Sequence, residues 1–61
     1  MNIPKDPIML MSFLNTQLRD KYTSLADLTA TYGIDEAEVT EKLAAVGYKY
    51  SSERNQFVRE S

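Results

Sequence analysis

Two glycines set the lengths of the helices this chain can form. Gly33 and Gly47 each follow an apolar stripe with helical spacing, where a helix needs a left-handed residue to stop. Leu25, Leu28 and Tyr32 make the first stripe, and Val39, Leu43 and Val46 make the second. Start signals answer these stops. Ser24 can cap the amide of Asp27, with Asp27 reaching back in a shortened capping box; Asp35 can cap the next helix, with Glu38 completing the box and Ile34 stapled against Val39. Upstream, Asp6 followed by Pro7 opens an earlier helix, along which Leu10, Leu14 and Leu18 recur on one face with Met11 beside them. After Gly47 the period changes to two: Tyr48-Lys49-Tyr50, a polar Ser51–Asn55 stretch, then Gln56-Phe57-Val58. Pairing Tyr50 with Phe57 puts Tyr48, Tyr50 and Phe57 on one face, over the helices. The expected fold is α+β, mainly α: a single winged-helix-like domain over residues 1–61. It has a three-helix helix-turn-helix core (about 7–21, 25–32 and 36–46) followed by a small β-hairpin (about 48–51 and 56–59).

Composition narrows the chemistry. At 61 residues the chain lies near the lower limit for folding without a covalent or metal staple. Cysteine is absent, which removes disulfides and thiolate metal sites. Histidine is absent as well, and with it the usual general base near neutral pH. The carboxylates lack calcium-loop spacing, and both glycines serve as helix stops rather than as a phosphate-cradling loop. No enzyme activity, cofactor, metal site or small-molecule site is expected. The opening has an acid and two prolines before a short apolar run from Ile8 to Leu14, unlike a secretory leader or a spanning helix. A cytoplasmic location, with no membrane association, is the expectation.

The residues also resemble a family of short bacterial proteins of unknown function. The likeness is carried by Ile3-Pro4-Lys5-Asp6-Pro7, Met9-Leu10, Asn15, Leu18-Arg19-Asp20, Tyr22, Ser24-Leu25, Gly47-Tyr48 and Asn55-Gln56-Phe57. It spans nearly the whole chain and implies a free-standing protein, but brings no activity, ligand or partner with it. Thr29 stands where that family often carries cysteine, so a thiol role there does not extend to this chain. More broadly, Leu28-x-x-x-Tyr32-Gly33-Ile34-x-x-x-x-Val39 resembles winged helix-turn-helix domains, a likeness of fold more than of function.

A winged helix invites a nucleic-acid reading, and charge opposes it. The helix that would enter the major groove carries Asp35, Glu36, Glu38 and Glu41 against the single base Lys42, a net −3 over residues 35–43 in a chain of net −2. Duplex binders make several phosphate contacts through lysine and arginine. Here the carboxylates suit the positive end of their own helix instead. Lys49, Arg54 and Arg59 on the hairpin offer partial compensation, diluted by Glu53 and Glu60. The four tyrosines fit a core better than a stacking platform, which would need a positive groove.

Helix 1 carries more apolar surface than one face of a small monomer can cover. Met9 and Phe13 form a second stripe beside the leucines, and Ile8 falls on the far side from Leu10. Packing beneath the hairpin or the Ile3-Pro4 arm is the structural alternative for Met9 and Phe13. Asn15 and Arg19, one turn apart on the polar side, could grip a carboxylate or a backbone; locally, Arg19 would pair with an acid and Asn15 with the N-terminal arm. The functional expectation is a non-catalytic module that binds itself or another protein through helix 1. Met9 and Phe13 would be its anchors, with Asn15 and Arg19 as rim. A DNA- or RNA-binding regulator is the alternative.

Overall fold

In the computed structural model, which describes residues 3–60, three helices precede a two-stranded antiparallel hairpin. The elements are α1 (Pro7–Asp20), α2 (Leu25–Tyr32), α3 (Glu36–Ala44), β1 (Tyr48–Ser51) and β2 (Gln56–Arg59). The α+β, mainly α architecture follows the order read from the sequence. Each helix starts on a short polar side chain. Asp6 Oδ1 accepts from the Ile8 amide at 2.9 Å, Ser24 Oγ from Asp27 at 3.1 Å, and Asp35 Oδ1 from Ala37 at 3.0 Å. The two expected return contacts are not made. Asp27 takes the Thr23 hydroxyl instead, and Glu38 does not reach back to Asp35.

The stops also differ slightly from expectation. Gly33 adopts the left-handed conformation (φ 69°), while α1 ends one residue early, at Asp20. Helix α3 ends at Ala44, two residues short of Val46. The amides of Val46 and Gly47 bond to the carbonyls three residues back, tightening the last turn. That tightening takes Val46 off the Val39–Leu43 stripe and leaves it 40% exposed. Gly47, at φ 87°, then turns the chain into β1.

Every helix contributes leucines to one core: Leu10, Leu14 and Leu18 from α1, Leu25 and Leu28 from α2, Leu43 with Val39 from α3. Phe57 of β2 closes it from the side. The hairpin register is Tyr48↔Arg59, Lys49↔Val58, Tyr50↔Phe57 and Ser51↔Gln56, the pairing expected from the aromatic pattern. Tyr50 and Phe57 lie with ring centroids 5.6 Å apart. Among the described residues no helix is long and apolar enough to cross a membrane.

The hairpin turn closes on Asn55, a non-glycine residue at φ 53°. Asparagine tolerates this conformation better than most residues, and here its side chain has further partners. Its Nδ2 donates to the carbonyls of Leu18 (3.1 Å) and Tyr22 (2.9 Å), and its Oδ1 accepts the Tyr50 hydroxyl at 2.6 Å. The same hydroxyl accepts from the Leu25 amide at 3.3 Å. One hairpin network thus satisfies a carbonyl in the last turn of α1 and an amide in the first turn of α2. Asn55→Gly keeps the backbone conformation and removes the side-chain bonds. It is expected to lower stability by about 1–3 kcal/mol in urea unfolding, and the loss should overlap, not add to, that of Tyr50→Phe in a double-mutant cycle.

Candidate interaction surface

Helix α1 presents three sides. The leucines face the core, and at about 100° per residue the Met9–Phe13 stripe lies roughly 120° around the axis from Asn15 and Arg19. The four candidate residues therefore do not form one surface. They divide between the flank facing α2 and the flank facing the hairpin.

On the α2 flank, Met9 is 61% exposed, and its neighbour Ile8, further round the helix, is 48% exposed. Phe13 is half-buried and packs against the core. The ring meets Tyr32 of α2 edge-on at 5.8 Å. Tyr22 continues the row, 6.1 Å from Tyr32. Partial burial raises the Tyr32 phenol above its ordinary pKa, with Tyr22 adding to the effect. Met9 and the exposed edge of Phe13 make an apolar strip at the start of α1, with Ile8 exposed separately about 100° round the helix.

On the hairpin flank, Asn15 binds β2. Its Oδ1 accepts from the Phe57 amide at 2.7 Å and its Nδ2 donates to the Phe57 carbonyl at 3.2 Å. Tyr50↔Phe57 is a non-hydrogen-bonded pair of the ladder, so the backbone groups of Phe57 face outward. The Asn15 amide satisfies both, where the sequence suggested a bond to the N-terminal arm. Arg19 pairs with its neighbour Asp20 through two hydrogen bonds, at 3.0 and 3.3 Å. That bond holds the Asp20 carboxyl below its ordinary pKa, partial desolvation opposing it, and raises Arg19. Both side chains are at least half exposed, so the pair adds little to stability.

Elsewhere, Asp35, Glu36, Ala37, Glu38 and Glu41 are all exposed on α3, a solvated acidic face. Thr29 is buried, its hydroxyl donating to the carbonyls of Leu25 and Ala26 within its own helix. No group of three or more acidic side chains converges as a metal site would require, among the described residues. Among the described residues, two grooves are of note. One lies between α1 and the hairpin turn, beside Asn15 and Asn55. The other lies between the Ile3–Lys5 arm and the α2–α3 turn, under Ile34 and Val39.

The sequence matches the family described as Domain of unknown function (DUF4250) over residues 4–57. The chain belongs to the DUF4250 family. No curated protein and no solved structure matches it. Membership in DUF4250 agrees with the expected kinship to a family of unknown function and supplies no activity. The part played by Asn55 was not read from the sequence. The available signal was an asparagine at the end of a polar hairpin loop, the place for a left-handed residue.

If Asn15 holds the outward face of β2, Asn15→Ala should expose the Phe57 amide. Hydrogen exchange followed by NMR is expected to show Phe57 losing more protection than its neighbour Val58, with global stability lower by about 1–3 kcal/mol. Arg19→Ala is expected to return the Asp20 carboxyl upward toward its ordinary titration range, as read from its carboxyl carbon shift.

Proposed function

We propose that this DUF4250 protein is a non-catalytic interaction module that associates with a second copy of itself through the start of α1. The observation that carries this reading is Met9, a large apolar side chain 61% exposed on a well-capped helix; Ile8, about 100° round the helix, is 48% exposed. Phe13, one turn along, adds aromatic area whose position is fixed by Tyr32. Such a strip has the adaptable methionine and the aromatic residue that interface cores favour. Arg19, exposed and only loosely tied to Asp20, suits the rim of a larger contact; Asn15 supports the surface by holding β2. The absence of histidine and cysteine, and the solvated setting of the α3 carboxylates, support a non-catalytic role.

A nucleic-acid-binding winged helix is the second reading. It draws on the exposed Lys49, Arg54 and Arg59 of the hairpin and is opposed by the exposed acids of α3. A mobility shift with duplex DNA at low salt tests it, and the first reading expects no retardation at micromolar protein.

Sedimentation equilibrium across a hundredfold concentration range is the direct test of self-association. A dimer at low micromolar concentration is expected. Met9→Ala should weaken it by at least about tenfold, on the scale of an interface anchor, with no loss of stability. Phe13→Ala should weaken association and also lower stability by about 1–3 kcal/mol, below the cost of deleting a fully buried ring. A strict monomer, or a dimer indifferent to Met9, would overturn the reading.

A further inference from the structure

We propose that the groove between α1 and the hairpin turn binds a small ligand through a phosphomonoester group. The groove has a volume of about 520 Å³, within the usual range for small-molecule sites. Ser12, Thr16 and Arg19 form its helix wall, and Arg54 and Gln56 form its hairpin wall.

Charge is the first argument. The chain carries nine acids and a net charge of −2, yet no acid lines this groove and both of its charged residues are arginines. Asp20 and Glu53, the acids adjacent to those arginines in sequence, lie outside the lining. Arg54 makes no ion pair among the described residues. Among the described residues Arg19 is held only by the exposed Asp20, a bond weak enough to be exchanged for a ligand oxygen.

Donor geometry is the second. Two guanidinium groups on opposing walls, with the Ser12 hydroxyl on one wall and the Gln56 amide on the other, offer hydrogen bonds from several directions; the Thr16 hydroxyl already donates to the Ser12 carbonyl at 3.0 Å and adds only polar lining. A tetrahedral phosphate dianion uses such a set fully, whereas a planar carboxylate is satisfied by one guanidinium fork. Met11 and Leu18 supply apolar wall for the organic part of the ligand.

Rigidity is the third. Asn15 and Asn55 also line the groove, and their amides are committed to Phe57, Leu18 and Tyr22. Those bonds fix the spacing of the two walls before any ligand arrives, so little ordering cost falls on binding. The groove includes neither Met9 nor Phe13 and shares only the rim residue Arg19 with the proposed self-association surface, so Met9→Ala, which disrupts that surface, should leave ligand binding intact.

The test is an NMR titration of the isotopically labelled full chain with methyl phosphate at constant ionic strength, with acetate in parallel. Saturable shifts centred on the amides of Ser12, Thr16 and Gln56 are expected with methyl phosphate, and much weaker binding with acetate. Arg54→Gln, at an exposed turn, should weaken binding by about tenfold or more. Asp20→Asn, which releases Arg19, should tighten it. Glu41→Gln makes the same change of net charge away from the groove and should leave affinity unchanged. Shifts that do not saturate, equal binding of acetate, or a Glu41→Gln effect matching that of Asp20→Asn would overturn the proposal.

Discussion

A two-stranded hairpin is marginal in water, and this one is held in place by two asparagine side chains. Asn15 reaches from α1 to both backbone groups of Phe57, and Asn55 reaches from the hairpin turn back to the carbonyls of Leu18 and Tyr22. Between these clasps the Phe57 ring closes a core that the helices supply mostly with leucine. A chain of 61 residues without cysteine has little apolar area to spare, so fixing this ring matters more than it would in a larger protein. The Tyr50 hydroxyl links the second clasp to the first turn of α2, and so joins the hairpin to two helices at once.

Around α1 the work is divided by side. The leucine face is covered by the other elements, the Asn15 side serves the hairpin, and on the third side Phe13 packs on Tyr32 while Met9 is left to solvent. The electrostatic pattern is similarly uneven. Acids concentrate on α3, while the groove beside the hairpin turn carries arginines alone among its charged residues. A modest net charge of −2 conceals this separation, and surface chemistry in so small a protein is better judged groove by groove.

Local signals read well in the sequence because each is decided within a few residues. The caps at Asp6, Ser24 and Asp35, the stop at Gly33 and the Tyr50↔Phe57 register all depend on short-range geometry. The end of α3 read less well: Val46 fits the helical stripe by spacing, but the tightened turn before Gly47 removes it. Long-range polar contacts were not legible. Asn15 lies 42 residues from Phe57 and Asn55 lies 37 from Leu18, and periodicity is silent about side chains that bond to distant backbone. The division of Met9 and Phe13 from Asn15 and Arg19 was implicit in the helical angle, but which neighbour each flank would meet required the packing of α2 and the hairpin.

The clasp at Phe57 also bears on what the molecule avoids. An outer strand with open amides and carbonyls is a template on which another chain can lay a strand of its own. At Phe57 both groups are already occupied by a side chain too short to continue the ladder. A one-residue slip of β2 would turn those groups inward and the ring outward, forfeiting the clasp and the core contact together. One asparagine thus holds the hairpin in register and blunts its edge against runaway strand addition.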